Sequence, residues 1–294
     1  ISGWGNVMIR RIALASVFAL SLGSLAASPA LAQAVATATS ALPATHVELP
    51  APDGRTIDVS VWSATDEQAV IVFSHGWNSD PARYHRIIKY WTDHGFTVIA
   101  PMHTDSLQHP RHAEGDQRSF VMTRIVDLAV VRGYAQARHP SKPMIAGGHS
   151  FGSFNSLMAA GAVSVAGPLG DPAVKAVIAI STPGVVPGLV NPSTYATVST
   201  PVLIVTGDAD LVPGFVTEPR DHRAAFDTSS AGDKMLMTFA GGDHSFVGNA
   251  DAADFALMAA TTVDFMRAHA LGDAAAQVRL DALTAPEGVT IERR

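Results

Sequence analysis

Residues 148–152 read GHSFG and place Ser150 between two glycines, in the G-x-S-x-G pattern that is typical of nucleophilic serines. A short apolar run at 144–147 precedes the pattern, and a helical pattern begins at Phe151. A serine in such a sharp strand-to-helix turn exposes its hydroxyl at a helix amino terminus, where developing negative charge is stabilised. The motif therefore predicts Ser150 as a nucleophile in acyl transfer, and the alternative is a glycine-rich structural turn.

A serine hydroxyl needs a general base at neutral pH, and a carboxylate orients that base. With this motif the chain order is Ser, then acid, then His, so only His222, His244 and His269 are candidates. His222 lies in a charged run that predicts a solvated helix face, and His269 ends the last predicted helix. His244 follows the last predicted strand in a glycine-rich loop. It is the predicted base, against the alternative of a capping or surface histidine.

The acid is expected after the penultimate predicted strand, where residues 206–213 read TGDADLVP. Asp210 is the predicted acid because its place in G-x-x-D-x-V-P is typical of a loop that returns the carboxylate to the histidine. Asp208 is the first alternative, although it is expected to hydrogen-bond its own turn. Asp243 is a remote third, since its side chain should diverge from that of its neighbour, His244.

Acyl transfer also needs donors for the oxyanion. One is expected to be the backbone N–H of Phe151, the residue after the nucleophile. The second is expected from the loop 74–78 (SHGWN), with the Trp77 amide as the donor and His75 as a structural hydrogen-bonding residue. The Trp77 side chain is predicted either to flank the substrate or to belong to the core.

The loop 102–112 contains three histidines and invites a metal-binding interpretation. Its spacing contains no compact ligand pattern such as H-x-x-x-H, and we therefore predict no metal site. Because the loop leaves the carboxyl end of a predicted strand, it is expected at the pocket rim, with His103 as a candidate substrate-binding residue.

Short apolar runs alternate with helical patterns along the chain, which is typical of parallel strands joined by crossover helices. We predict an α/β fold with about eight strands in a mostly parallel sheet and helices on both faces. The first two strands should form an antiparallel hairpin. The predicted strands are 45–50, 56–62, 69–73, 97–100, 144–147, 174–180, 202–205 and 234–239; the helices are 81–94, 117–137, 151–162 and 251–269. About 20 residues separate strands 174–180 and 202–205, too few for a large lid domain.

Composition limits the function further. The formal net charge of −6 with no basic run argues against a nucleic-acid partner, and the absence of Cys excludes disulfides and cysteine nucleophiles. Arg10 and Arg11 precede the apolar run 12–27 and the small-x-small sequence at 30–32, the layout of a signal peptide. A membrane anchor is the alternative, but the run is shorter than the roughly 20 residues needed to span a bilayer.

We therefore predict a signal peptide at 1–32, in which 1–7 are possible upstream residues before Met8. A flexible leader at 33–44 and a catalytic domain at 45–294 follow. The mature protein is expected to be periplasmic or secreted, without stable membrane insertion.

The motifs around Ser74, Ser150, Asp210 and His244, together with the tail 271–276, resemble bacterial α/β-hydrolases of the dienelactone-hydrolase-like and platelet-activating-factor-acetylhydrolase-like group. The resemblance covers about 47–283. It implies a Ser-His-Asp triad, no cofactor and hydrolysis of carboxylic esters, often small ones. True dienelactone hydrolases use a cysteine nucleophile, which this chain lacks, and this favours a general serine esterase.

The sequence thus predicts an esterase that forms an acyl-enzyme on Ser150, with a small-molecule ester as its partner. Polyester hydrolysis, lipid-ester hydrolysis and amide hydrolysis on the same triad are the alternatives within enzymes. A catalytically silent binding protein on the same fold is the alternative outside them.

Overall fold

The computed structural model describes residues 43–164, 167–186, 189–191 and 193–294. The predicted signal peptide and nearly all of the predicted leader lie outside these described residues, and the predicted domain boundaries stay predictions. Among the helices that the structure describes, none has the length and apolar character needed to cross a bilayer.

A nine-stranded sheet forms the centre of the described chain, in the spatial order β1-β2-β4-β3-β5-β8-β9-β10-β11. The six strands from β4 to β10 in this order are parallel, whereas β1, β2 and β11 pair antiparallel with their neighbours. The strands are β1 Thr45–Pro50, β2 Thr56–Trp62, β3 Ala69–Ser74, β4 Phe96–Pro101, β5 Met144–His149, β8 Val174–Ile180, β9 Val202–Gly207, β10 Lys234–Phe239 and β11 Val289–Arg293, with a separate ribbon of β6 Val163–Ser164 and β7 Gly167–Pro168.

Helices cover both faces of this sheet. They are α1 His85–Asp93, α2 Gln117–Arg138, α3 Phe151–Ala159, α4 Ala224–Thr228, α5 Phe246–Asn249, α6 Ala252–Leu271 and α7 Ala274–Ala282, with 3₁₀ turns at Pro81–Tyr84, His112–Glu114 and Pro219–Arg223. Helix α2 begins with a capping box between Asp116 and Ser119, and α6 ends at Gly272 in the left-handed conformation.

Alternate residues of each central strand enter two separate cores. Ile71 and Ile178 face α1 and α6, whereas Val70 and Val177 face α2 and α3. Strands β3, β4, β5 and β9 are buried at every position, which explains why their sequences are continuous apolar runs rather than alternating patterns.

The predicted fold class is confirmed, and all eight predicted strands are present within two residues of their expected ends. The ninth strand β11, the ribbon β6–β7 and the helices α4, α5 and α7 were not predicted. Between β8 and β9, the described residues of 181–201 form turns without a helix or strand.

The carboxyl ends of the parallel strands lie at one edge of the sheet. Because β4 lies on one side of β3 and β5 on the other, the loops after β3 and β5 separate there, and this is where α/β sheets bind ligands. The loops after β3, β5, β9 and β10 carry every residue of the predicted triad and oxyanion hole.

Candidate active site

Ser150 lies in the turn between β5 and α3 with φ 54° and ψ −125°, a backbone conformation that non-glycine residues rarely adopt. Its N–H donates to the carbonyl of Ile180 at 2.8 Å. A Cβ on Gly148 would lie 2.3 Å from the Gly152 carbonyl oxygen, and one on Gly152 would lie 1.9 Å from that of Ser74. Both positions of the motif therefore require glycine, because each lies too close to a neighbouring backbone segment to leave room for a side chain.

The structure brings the three predicted triad residues together. His244 Nε2 lies 2.9 Å from Ser150 Oγ, and His244 Nδ1 lies 2.7 Å from Asp210 Oδ1. Asp210 is fully buried, while the His244 side chain is partly open to solvent. This order of hydroxyl, imidazole and carboxylate is the one that a nucleophilic serine requires.

The two alternative acids occupy other positions. Asp208 accepts a hydrogen bond from the N–H of Gly241 at 2.6 Å, so it joins two loops rather than bonding its own turn as expected. Asp243 accepts from the N–H of Ser245 at 2.8 Å. Neither carboxylate bonds the His244 ring.

The prediction that His222 is solvated is wrong. Its side chain is fully buried, and its Nε2 lies 2.9 Å from Asp210 Oδ1. His222 lies in the 3₁₀ turn Pro219–Arg223 and points inward, whereas Arg220 of the same turn is exposed. Ala225 and Phe226 of the following helix α4 are also buried. The i, i+3, i+4 spacing of His222, Ala225 and Phe226 was the sequence signal of an inward face.

Asp210 is ionised despite its burial. Burial opposes the charged form, but hydrogen bonds from His222 and then from His244 outweigh it and hold the pKa of this carboxyl well below its usual range. Thr206 Oγ1 donates to the second oxygen, Oδ2, at 3.0 Å. The carboxylate is thus fixed in both orientation and charge.

The two predicted oxyanion donors are backbone N–H groups beside Ser150. Phe151 is the first residue of α3, so its N–H has no acceptor inside the helix. The Trp77 N–H has no hydrogen-bond partner among the described residues, whereas the neighbouring N–H groups of Gly76 and Asn78 donate to Tyr84 and Asp105.

The loop that carries Trp77 passes directly over the nucleophile. A Cβ on Gly76 would lie 3.4 Å from Ser150 Cβ. The Trp77 ring meets Phe151 edge-to-face, with a ring centroid distance of 5.4 Å, and is only partly buried. The side chain therefore packs on one side against the core and is open on the other.

Arg124 of α2 sets the direction of this loop. It donates to the carbonyl of His75 at 2.7 Å and to that of Gly76 at 3.0 Å. In a trans peptide the C=O and the following N–H point in opposite directions, so a Gly76 carbonyl turned towards Arg124 turns the Trp77 N–H away from it. Arg124 could not be identified from the sequence, since a charged residue in an amphipathic helix is ordinarily exposed.

Arg124 is itself held by a buried ion pair. Its Nε lies 2.7 Å from Asp105 Oδ1, and both side chains are fully buried. Although burial favours the neutral acid, the hydrogen bond and charge of Arg124 lower the pKa of Asp105 to about 2.

The prediction that His103 binds substrate is wrong for this structure. The loop after β4 turns inward, and the side chain of His103 is fully buried under the Trp77 loop. Its Nε2 lies 3.0 Å from Ser74 Oγ and its Nδ1 lies 3.3 Å from Asp127. Burial, and then the charge of Arg124, lower its pKa well below the ordinary value, so it is a neutral support.

His149 links two of the loops that surround Ser150. Its Nε2 donates to the carbonyl of His244 at 2.8 Å, and its Nδ1 lies 3.0 Å from the Tyr84 hydroxyl, which accepts from the N–H of Gly76. Burial is the main cause that lowers the pKa of His149 to about 3, and the ring is therefore neutral.

Asp210, His222 and His244 also have the residue types of a metal site, and among the described residues they are the one such group. Their nitrogen–oxygen separations of 2.7 and 2.9 Å match hydrogen bonds to one shared oxygen. Ligands around a tetrahedral zinc ion would lie roughly 3.3 Å apart, so protons fit this cluster better than a metal.

Comparison with known proteins finds a family model that is similar to part of the chain. Residues 65–182 match the model of the serine aminopeptidase family S33. No curated protein sequence matches the chain.

Solved structures are similar in fold. A cold-adapted esterase from an Arctic intertidal metagenomic library has 18% identity and a TM-score of 0.58, over 76% of this chain and 93% of its own. The esterase domain of a Rhodothermus marinus protein has 16% identity and a TM-score of 0.57, over 78% and 100%. A puromycin-hydrolysing peptidase of Mycobacterium tuberculosis has 17% identity and a TM-score of 0.59, over 77% and 39%.

The matched segment contains β3 to β8 and therefore the nucleophile turn, and the similar structures extend over the rest of the sheet. The narrower resemblance to dienelactone-hydrolase-like esterases stays a prediction. The chain therefore shares the α/β-hydrolase fold with these structures.

Proposed function

We propose that the chain is a serine esterase that cleaves carboxylic esters through an acyl-enzyme on Ser150. The observation that carries the proposal is the continuous hydrogen-bond path from Ser150 Oγ through His244 to Asp210, with distances of 2.9 and 2.7 Å. The unpartnered Trp77 N–H and the helix-terminal Phe151 N–H beside it support an oxyanion hole.

In the first half-reaction, Ser150 Oγ attacks the ester carbonyl carbon while His244 Nε2 takes its proton. The carbonyl electron pair moves to oxygen, where the Trp77 and Phe151 amides stabilise the negative charge. Collapse of this intermediate breaks the ester C–O bond, and His244 gives its proton to the departing alcohol. A water molecule then repeats the sequence on the acyl-enzyme and releases the acid.

The surroundings of the site support an uncharged substrate with apolar parts. Of the seven large apolar side chains exposed among the described residues, four lie on loops that leave the carboxyl ends of β4, β8 and β9. They are Leu107, Val185, Leu211 and Phe215. We infer an ester with an apolar acyl or alcohol group rather than a charged one.

Amide hydrolysis is the second candidate. It is favoured by the match to an aminopeptidase family and by the similarity to a puromycin-hydrolysing peptidase. A panel of p-nitrophenyl esters of increasing acyl length, with one p-nitroanilide, separates the two. Faster turnover of the anilide than of every ester would favour the amidase.

The decisive variant is Ser150→Ala. We expect it to keep the fold and the melting temperature and to lose turnover of a short-chain p-nitrophenyl ester by on the order of 10⁴-fold or more. Ser199→Ala, the same change at an exposed serine, is the matched control and should retain full activity.

A fluorophosphonate probe that forms a covalent bond with Ser150 in the native chain, and not in Ser150→Ala, would support an active nucleophile. Wild-type turnover by Ser150→Ala would contradict the proposal. Absence of both labelling and turnover in the native chain would favour a silent binding protein.

We further propose that the protein is exported, because Arg10 and Arg11, the apolar run 12–27 and the sequence Ala30-Leu31-Ala32 have the layout of a cleaved signal peptide. Amino-terminal sequencing of the mature protein tests this, and a first residue of Gln33 is the expected result.

A further inference from the structure

Both ring nitrogens of His222 face oxygen atoms. Its Nδ1 is hydrogen-bonded to the carbonyl of Thr182, and its Nε2 lies 2.9 Å from both the carbonyl and Oδ1 of Asp210. Carbonyl and carboxylate oxygens only accept hydrogen bonds, and a neutral imidazole carries only one N–H. A neutral His222 would therefore leave one nitrogen lone pair against an oxygen in a fully buried place.

The charged and titratable groups around the His222 ring also bear on its protonation. The Asp210 carboxylate faces it directly, the His244 ring is stacked on it at a centroid distance of 6.0 Å, and His149 lies beyond. On its own turn, Arg220, Asp221 and Arg223 point to the partly or fully exposed side.

A buried cation requires a paired anion, and Asp210 is that anion. Although burial favours the neutral ring, the hydrogen bond and charge of Asp210 outweigh it and raise the pKa of His222 above its ordinary value. The place of the ring is fixed as well, because the Thr182 hydroxyl donates to the His222 carbonyl at 2.5 Å.

We propose that His222 is a doubly protonated positioning residue that shares Asp210 Oδ1 with His244 and so sets the pH range of the reaction. The effect of His222 on the reaction rests on the proposed function, whereas the double protonation of its ring does not. Oδ1 accepts from His244 and also lies 2.9 Å from His222 Nε2, which bonds the Asp210 carbonyl, so its negative charge faces both rings. The cation beside His244 also disfavours a second positive charge on that ring.

Two substitutions separate the hydrogen bond from the charge. In His222→Gln the side-chain nitrogen takes the place of Nε2, which keeps a neutral donor to Asp210. In His222→Asn the nitrogen takes the place of Nδ1, which keeps the bond to Thr182 and leaves Oδ1 with His244 alone. His46→Gln is the matched control, since His46 forms an exposed pair with Asp58 at 3.1 Å.

For His222→Gln we expect the acid limb of kcat/KM to move to higher pH by about half a unit to one unit, because a positive charge near 6 Å is removed. Its kcat at pH 8 should change little. For His222→Asn we expect kcat to fall by on the order of 10-fold to 100-fold, because the Asp210 carboxylate is free to move. An unmoved pH profile in both variants, with only a lower melting temperature, would show a merely structural residue and overturn the proposal.

The protonation state is measured directly in the full chain by NMR of ¹⁵N-labelled histidine, with the His222 signals assigned from His222→Gln. We expect both ring nitrogens of His222 to carry protons at pH 7. One unprotonated, pyridine-type nitrogen at that pH would overturn the proposal.

The downfield proton of the hydrogen bond between His244 Nδ1 and Asp210 provides a readout independent of turnover. It should shift in His222→Asn and stay in place in His46→Gln. A chain without ester turnover whose His222 is doubly protonated would contradict the proposed function alone. A neutral His222 in an active esterase would contradict this inference alone.

Discussion

At the scale of single residues, Gly207 and Gly242 allow the acid loop and the histidine loop to touch. A Cβ on Gly207 would lie 2.0 Å from the Gly242 carbonyl oxygen, and no rotamer change relieves this contact because the backbone fixes the positions of both atoms. The loops after β9 and β10 can therefore approach closely enough for Asp210 to reach His244.

We predict that Gly207→Ala forces these loops apart, lengthens the Asp210–His244 hydrogen bond and lowers kcat by on the order of 100-fold. Steady-state kinetics on a p-nitrophenyl ester measure the effect. Gly248→Ala is the control, since a Cβ there meets nothing within 4 Å, and it should leave kcat unchanged. Equal activity of the two variants would show that the contact is not needed for the triad.

The sequence sufficed to predict Ser150, Asp210 and His244 as neighbours, because motif spacing and chain order constrain each of them. It did not suffice for His222 and His103. Both are polar residues in polar runs, and such residues are buried only when a partner from a distant part of the chain accepts their hydrogen bonds. Those partners, Asp210 and Asp127, are known only once the fold is known.

At the scale of elements, helix α2 does more than cover the sheet. One side chain, Arg124, reaches from its buried face to two carbonyls of the loop after β3 and pairs with Asp105 from the loop after β4. The helix thus holds two loops of the site in one orientation.

We predict that Arg124→Met lowers kcat by on the order of 100-fold to 1,000-fold with little change in KM, as for the loss of one oxyanion donor. It should also lower the free energy of unfolding by about 3–5 kcal/mol, because Asp105 remains buried without its partner. Urea unfolding and ester kinetics measure the two effects. Arg138→Met, on the exposed side of α2, is the control and should change neither.

The double change of Arg124→Met with Asp105→Asn separates stability from loop orientation. Removal of both charges should recover much of the lost stability, since no unpaired charge stays buried. The kcat should remain low, because the carbonyls of His75 and Gly76 still lack their donor. A double variant that recovers kcat together with stability would contradict the role of Arg124 in loop orientation.

The central elements were predictable because strands buried on both faces leave unmistakable apolar runs. The last strand was not, since Val289–Arg293 pairs only along the sheet edge and has one buried position, Val289, among five residues. A run so short and polar cannot be told from a loop without its partner, β10.

At the scale of the whole molecule, several buried ionisable groups have pKa values far from those of the unfolded chain. Burial is the main cause that lowers the pKa of His75 and His103 well below the ordinary value and that of His149 to about 3. A group whose pKa is lowered on folding binds fewer protons in the native state than in the unfolded state. Acid therefore favours unfolding.

Asp127 acts in the opposite direction. Its burial, only partly offset by Arg55, raises its pKa to about 6, so the native state takes up a proton there before the unfolded state does. Between about pH 6 and pH 4, proton uptake by Asp127 therefore offsets part of the acid destabilisation that the three histidines cause. Below about pH 4 the lowered pKa values of Asp105 and Asp210 add to the acid destabilisation.

We predict that stability is highest near neutral pH and falls on acidification from about pH 6.5. Near pH 5.5 the unfolded state binds more protons than the native state, so the free energy of unfolding falls as the pH falls. Urea unfolding at a series of pH values measures this slope. Asp127→Asn removes the opposing group and should steepen the slope between pH 6 and pH 4. A free energy of unfolding that stays constant from pH 7 to pH 5 would contradict the neutral, buried state of these histidines.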